Sequence, residues 1–315
     1  MDSGSNIITV SLNPTIDRVI EVPGLKLGAH QVGREISRTA GGKAVNVSLA
    51  LAAMGVGNIA TGFLGEESRP VFQDVLKGPS IRDEFFALPG RTRENVTLTD
   101  PDARQETHIR DTGLAVPAPM LARLTRKLEL LCQKGTVVIF GGSLPPGMSG
   151  EDFLSLINTS REAGARVAVD TSGPALDAIA GRSLWLLKPN AAELAHLAGR
   201  QLANEAEMFQ AARELTSHVS NVLLSRGSKG ACLFAGSCAA CAHVELDPAR
   251  VRNTVGCGDV LLAGFVAGLA GGKQPREALA GAVACASASA CTLKAAHFEP
   301  ETAEELRSRV EVTDF

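Results

Sequence analysis

Short β-rich apolar runs alternate along the chain with longer amphipathic stretches, the pattern of a parallel sheet covered by helices. IITVSL (7–12) reads as a strand, NVSLALAAMG (46–55) as a helix ending at Gly55, and NIATGFLG (58–65) as the next strand. TVVIFGG (136–142) is a buried strand closed by glycines, followed by a helix over 151–163 and strands RVAVD (166–170) and LWLLKPN (184–190). A helix from about 191, strands NVLLSRG (221–227) and GACLFA (230–235), and Ala- and Gly-rich helices over about 258–270 and 275–291 complete the pattern. Residues 15–38 and 82–113 break the rhythm. Their runs DRVIEV, EFFAL, ENVTLTD and ETHIRD are more polar, with connections that read as too short for crossover helices. Antiparallel strands set off as a small lid over the main sheet are expected there. No internal repeat or linker divides the chain, so one domain over 1–315 is expected.

Composition narrows the function classes. A chain of 315 residues, 45% hydrophobic and 21% charged, can build one large α/β core. A formal net charge of -3 gives no basic field to collect nucleic acid. With aromatic content at 4% and no Tyr, a base-stacking platform is not expected either. MDSGSNIITV lacks the basic start and apolar run of a secretory leader, and no apolar stretch is clearly long enough to span a bilayer. The expectation is a cytoplasmic protein with no membrane partner. The seven cysteines are scattered and mostly inside apolar runs, which reads as reduced, buried thiols. Cys238 and Cys241 form one C-x-x-C, but no second pair or suitably spaced His accompanies it, so small strand or turn residues are the better reading.

In an open parallel sheet, ligands gather beyond the carboxyl ends of the strands. There the chain carries NPTID with Asp17, GGSLPPG, Asp170, KPNAAE and SRGSKG, all rich in polar, Gly or Pro residues. No G-x-x-x-x-G-K-[ST] and no G-x-G-x-x-G after a strand is present. If the protein handles phosphate, TVGCGD within NTVGCGDVLLAGF (253–265) must supply the cradle. Backbone N–H groups of Gly256, Cys257 and Gly258, at the positive end of the following helix, would point at an anion. Asp259 at the same end either caps the helix or serves as a base that takes a proton from an attacking hydroxyl. The residues alone leave both open.

NTVGCGDVLLAGF, AGGKAVNVSLALAAMG (40–55), GGSLPPG, KPNAAEL and SRGSKGA, in this order and spacing, resemble the signatures of the ribokinase-like (PfkB) carbohydrate kinases. The resemblance covers nearly the whole chain. It implies a ribokinase-like α/β/α sandwich with a mostly parallel central sheet and a small β-sheet lid, and ATP-dependent phosphoryl transfer to a sugar hydroxyl with Mg²⁺. On this likeness Asp259 is the catalytic base and Gly256, Cys257 and Gly258 form the anion hole. Asp17, Gly42 and Asn46 contact the sugar. Asn190 and Glu193 organise Mg²⁺ through water, Lys188 faces the ATP phosphates, and Ser225 and Gly227 through Gly230 line the nucleotide. Cys257 stands where the family usually has Ala, a change a small thiol tolerates because its backbone N–H does the binding.

The same likeness bears on the acceptor. Lys43, where family members acting on neutral sugars tend to have Asn, suits a substrate that already carries phosphate. Arg93 of RTRENV and Ser143 of GGSLPPG complete a three-donor phosphate clamp. These features resemble the phosphosugar branch. The expected reaction converts fructose 1-phosphate to fructose 1,6-bisphosphate, with tagatose 6-phosphate or fructose 6-phosphate as alternative acceptors. A non-catalytic sugar-phosphate sensor on a kinase fold is the other class, disfavoured because a sensor needs no base at 259. Pairing of two copies through the lid is a further expectation.

Overall fold

The computed structural model describes residues 7–315; the first residues of the stretch read for a leader lie outside the described residues. In chain order the strands are β1 (Ile7–Ser11), β2 (Thr15–Glu21), β3 (Arg34–Gly41), β4 (Asn58–Gly65), β5 (Ile81–Leu88), β6 (Glu94–Asp100), β7 (Gln105–Ile109), β8 (Val137–Gly141), β9 (Arg166–Asp170), β10 (Leu184–Leu187), β11 (Val219–Ser225), β12 (Ala231–Ala235), β13 (Cys238–His243) and β14 (Glu311–Asp314). The helices are α1 (Lys43–Ala53), α2 (Arg69–Leu76), α3 (Ala118–Leu131), α4 (Gly150–Glu162), α5 (Pro174–Ile179), α6 (Ala191–Leu197), α7 (Glu205–Leu215), α8 (Cys257–Ala270), α9 (Pro275–Ala290) and α10 (Pro300–Arg307).

Ten strands make one sheet in the order β14-β13-β12-β11-β10-β9-β8-β1-β4-β5. Neighbours from β11 through β5 run parallel, and β12, β13 and β14 add an antiparallel edge. The two-residue period of a strand divides its side chains between the faces. Ile7, Val137, Ile139, Ala168 and Leu223 pack with α1, α8, α9 and α10 on one side. Ile8, Val10, Val138, Phe140, Val167, Val169, Val222 and Leu224 pack with helices α3 to α7 on the other. Each strand therefore feeds two cores, which gives the three layers. Helix α8 is buried along most of its length. It lies close against α9 because Gly264 and Gly268 face Ala282 and Ala278, where an added Cβ would come within 2.9 and 2.8 Å of their carbons.

A second sheet has the order β3-β2-β6-β7. Two expectations need correcting here. EFFAL belongs to β5 and pairs in parallel with β4 in the large sheet, so the segment 82–88 is not lid. The connection is not too short for a crossover, because α2 fits between β4 and β5. Nor is the lid wholly antiparallel: β2 pairs in parallel with β6, while β2–β3 and β6–β7 are antiparallel. A third correction concerns the thiols. The turn between β12 and β13 sets a register that puts Cys232 opposite Cys241, and the two are joined by a disulfide. Among the described residues no helix is long and apolar enough to cross a membrane.

Candidate active site

Two helix starts converge at the strand ends. Helix α1 begins after Gly42 and α8 after Gly256, whose φ of 82° lies in the left-handed region. A Cβ on Gly256 would also sit 2.7 Å from Ala296, so only glycine fits this turn. From the first turn of α8, Asp259 is turned inward and only 7% exposed. From α1, Asn46 Nδ2 donates to Asp259 Oδ2 at 2.7 Å. Burial, then the neighbouring Asp170 carboxylate, push the Asp259 carboxyl up to about 7, while Asn46, Lys188 and Lys43 pull the other way. The N-cap of α8 is Gly256, and among the described residues the hydrogen bond to the Asp259 carboxylate comes from the Asn46 side chain rather than from a backbone N–H.

Around the helix start the backbone offers donors. The Cys257 N–H donates to the Thr254 carbonyl at 3.3 Å, a bond internal to the turn. Among the described residues the N–H groups of Gly256 and Gly258 have no backbone acceptor. Lys188, at the end of β10 and 5% exposed, reaches this place from below: a Cβ on Gly258 would lie 3.5 Å from its Nζ.

Behind Lys188 lies Asp170, a buried carboxylate that ends β9. Lys43 Nζ donates to its Oδ1 at 2.6 Å, and Lys188 Nζ stands 3.0 Å from its Oδ2. Oδ2 nevertheless has no aligned hydrogen bond. Lys43 Nζ also approaches Glu193 Oε1 at 3.6 Å. Burial works against the charged Lys43, but Asp170 outweighs it and raises the ammonium above its ordinary value. Lys43 is thus committed to Asp170 and Glu193, partners that neither Arg93 nor Ser143 shares. In this structure Lys43 therefore faces the end of β9, apart from Arg93 and Ser143, the other two members of the expected clamp.

Arg93 and Ser143 do come together, and Asn13 joins them. Arg93 Nη2 donates to the Asn13 carbonyl at 3.0 Å, Nε to the Pro14 carbonyl and Nη1 to the Asp111 carbonyl, each at 3.2 Å. The Asn13 amide donates to Ser143 Oγ at 3.3 Å and to the Thr112 and Leu144 carbonyls. Nearby, Asp17 on β2 accepts from Asn95 Nδ2 at 3.0 Å. Burial lifts its carboxyl above the usual range, against the pull of Asn95, Arg93, Thr15 and Arg110. A Cβ on Gly41 would lie 2.8 Å from Asp17 Oδ2 and 3.6 Å from Asn46 Oδ1, so Asp17, the glycines before α1 and Asn46 share one pocket wall.

Asn190 and Glu193 form a capping box at the start of α6. Asn190 Oδ1 accepts from the Glu193 N–H, and Glu193 Oε2 accepts from the Asn190 N–H, both at 2.9 Å. Only Glu193 Oε1 is left to face Lys43. A groove of about 440 Å³ opens beside this helix start, lined by Asn190, Ala191, Met208, Ser225, Arg226 and Gly227 among others. Ser225 Oγ donates to the Pro189 carbonyl at 3.3 Å, tying β11 to the turn before α6, and the tight turn Gly227–Lys229 comes next, closed by Gly230.

Most of the expected residues therefore meet along one rim. Three contributors were not singled out from the sequence. In the sequence Asp170 stands out only as part of the rim, although a lone Asp closing an apolar strand is its signal. Asn13 had the signal of following the first strand. Arg110, which acts electrostatically on both Asp17 and Arg93, had none.

The family described as pfkB family carbohydrate kinase matches residues 8–302. The 1-phosphofructokinase of Rhodobacter capsulatus is 39% identical over 262 residues, 82% of either chain. The tagatose-6-phosphate kinase of Staphylococcus epidermidis is 27% identical over 312 residues, 98% of this chain and 99% of that one. Among solved structures, phosphofructokinase-2 from Escherichia coli in complex with potassium superposes with a TM-score of 0.87 at 23% identity, over 96% of this chain and 98% of that one. The architecture is the ribokinase-like α/β fold, a large mostly parallel sheet with a four-strand lid.

Proposed function

The chain belongs to the pfkB family of carbohydrate kinases, which transfer a phosphoryl group from ATP to a sugar hydroxyl, and on that footing we propose that its acceptor is the 6-hydroxyl of fructose 1-phosphate. The observation that carries the chemistry is a buried Asp259 at the glycine-rich start of α8, held by Asn46 and flanked by two lysines. The identity to the Rhodobacter capsulatus enzyme supports the acceptor. Tagatose 6-phosphate is the second reading, favoured by the end-to-end match to the Staphylococcus epidermidis kinase.

Asn46 fixes one Asp259 oxygen, leaving the other to take the proton of the acceptor hydroxyl as its oxygen attacks the γ-phosphorus. The bond from that phosphorus to the bridging oxygen breaks, and ADP leaves. Charge growing on the transferring group meets the Gly256 and Gly258 N–H groups, the positive end of α8 and the Lys188 ammonium. Such preorganised donors are the main resource for phosphoryl transfer, where positioning and charge stabilisation dominate. Lys43 acts on this side of the site, through Asp170 and Glu193, rather than on the sugar phosphate. Arg93 and Ser143 hold that phosphate, and Asp17 accepts from sugar hydroxyls.

Mg²⁺ fits the donors present. The ion keeps most of its waters and takes one or two carboxylates beside substrate phosphates. Glu193 Oε1 is a carboxylate oxygen suited to bind it through water, with Asn190 beside it at the start of α6. Bound there, it would neutralise phosphate charge on ATP.

ADP release from Mg·ATP, measured side by side with fructose 1-phosphate, fructose 6-phosphate, tagatose 6-phosphate and fructose, tests the assignment. Fastest turnover on fructose 1-phosphate is expected. Preference for unphosphorylated fructose would remove the Arg93–Ser143 phosphate site.

A further inference from the structure

We propose that Cys232 and Cys241 form a thiol–disulfide switch beneath the nucleotide loop, and that Arg226 passes its redox state to the bound nucleotide. This rests on reading the groove beside Ser225 and Gly227 as the nucleotide site. Three features converge here.

First, the two cysteines lie directly opposite each other on β12 and β13, with Cα atoms 4.0 Å apart, the close spacing of a non-hydrogen-bonded cross-strand pair. They form a bond without any movement of the strands. Cys232 is buried and Cys241 only partly so, which makes Cys241 the one nearer to a reagent. Second, the Arg226 guanidinium lies against both. Its Nη1 is 3.3 Å from Cys232 Sγ and 3.6 Å from Cys241 Sγ. A cation at this place favours the thiolate, which eases departure of a sulfur during exchange. Third, Arg226 sits between Ser225 and Gly227 and lines the groove. Its Nη2 pairs with Glu205 at the start of α7, which Lys229 also contacts at 3.1 Å. Its Nε is buried without a partner. The guanidinium thus links the sulfur pair, the nucleotide loop and α7.

Reduction by a dithiol begins with attack of its thiolate on the Cys241 sulfur. The Cys232–Cys241 bond breaks and Cys232 leaves as a thiolate beside Arg226. The reductant's second thiolate then displaces Cys241 and closes the reductant's own disulfide. Two electrons pass to the protein sulfurs; Cys241 takes up a proton, and Cys232 stays a thiolate beside Arg226. Hydrogen peroxide reverses the change, taking two electrons and two protons and leaving as two waters. In the disulfide form the sulfurs carry no charge, and Glu205 is the anion that holds Arg226. In the reduced form Cys232, kept as a thiolate by the adjacent guanidinium, offers a second anion on the other side. It draws the guanidinium from Glu205 and loosens α7 from the 225–230 loop.

The test measures binding of a non-hydrolysable ATP analogue to the whole protein in its disulfide and dithiol forms, each verified by intact mass as differing by two hydrogens. The dithiol form is expected to bind about two- to fivefold more weakly, the effect of one half-exposed ion pair. Cys232→Ala/Cys241→Ala should bind equally in both buffers, and Glu205→Gln should abolish the difference while the mass change persists. Equal affinity of the two forms, a difference that survives in the double variant, or a pair that dithiol cannot reduce would each overturn the switch. Because the analogue needs no sugar, a mistaken acceptor leaves this test standing. Failure of the analogue to bind in either form would overturn the nucleotide-site reading and the switch together.

Discussion

Replacing Lys43 by Met separates two uses of one cation. If Lys43 bound the sugar phosphate, its loss would raise KM for the phosphosugar and leave kcat and the pH profile alone. Its partners in the structure point elsewhere. Lys43 and Lys188 face the carboxylates of Asp170, Glu193 and Asp259, so two positive charges stand against three negative ones. Without Lys43 one positive charge stands against three. Lys43 is among the groups that hold the Asp259 carboxyl down, against burial and Asp170. Removing a nearby opposite charge shifts a carboxyl by about 1–3 units, and the screened, partly exposed ammonium belongs at the lower end.

An Asp acts as a base only when ionised, so activity is lost as pH falls through its pKa. In the native enzyme the acid limb of kcat/KM should centre near 7. In Lys43→Met it should move up by about one unit, which at pH 7 lowers the ionised fraction from about one half to about one tenth. That part of the defect, about fivefold, should recover at higher pH. A pH-independent loss in kcat should remain, because Lys188 is left alone to balance Asp170 and Glu193. Asp170 keeps Lys188 as a partner, so the fold should lose no more than about 1–3 kcal/mol, and a thermal melt separates that from the kinetic effect. A pH profile that stays put while only the phosphosugar KM rises would refute this account and return Lys43 to the clamp.

Asp259→Asn keeps the shape and the Asn46 contact but cannot take a proton. Its kcat should fall by about 10²–10⁴ with nucleotide-analogue affinity largely kept, and near-native turnover would rule out Asp259 as the base. Arg93→Ala should raise KM for the phosphosugar by at least about tenfold, since a hydrogen bond to a charged group contributes about 1.5–3 kcal/mol; steady-state kinetics with ATP saturating is the check, and a fall in kcat alone would contradict it. Gly256→Ala combines an unfavourable φ of 82° with a Cβ 2.7 Å from Ala296. It should cost about 1–3 kcal/mol of stability and most of the activity, read from denaturant melts and ADP release; a variant with native values would show that the turn tolerates a side chain.

The layers and the rim were legible in the sequence for a physical reason. Buried strands such as TVVIF and NVLLS are continuous apolar runs because both faces are covered, and the residues just beyond each run are polar because ligands and solvent meet there. The lid was legible only in part. A run such as EFFAL at the sheet's end looks like a lid strand, because β5 is an edge strand that mixes buried and exposed positions. Period alone cannot say which sheet such a strand joins. The Cys232–Cys241 pairing was hidden for a similar reason: the C-x-x-C spacing drew the eye to Cys238 and Cys241, while hairpin register decides which sulfurs meet.

Lys43 marks where motif spacing ends and geometry begins. A lysine next to the glycines of α1 has a stem long enough to serve either the sugar side or the nucleotide side, and nothing in GGKAVN says which. The choice is made by a residue far along the chain. Asp170 ends β9, buried where it has no water to solvate it, and a buried carboxylate needs cations. One comes from Lys188, just past the neighbouring strand β10, and the second opening is filled by Lys43. Asp170 thereby holds both lysines beside Asp259, and its own negative charge helps keep the base's affinity for a proton near neutrality. Asp170→Asn tests that coupling: with its like charge removed, the acid limb of kcat/KM should move below 7 even though the variant turns over more slowly. An acid limb that stays near 7 would mean that burial alone sets the Asp259 carboxyl.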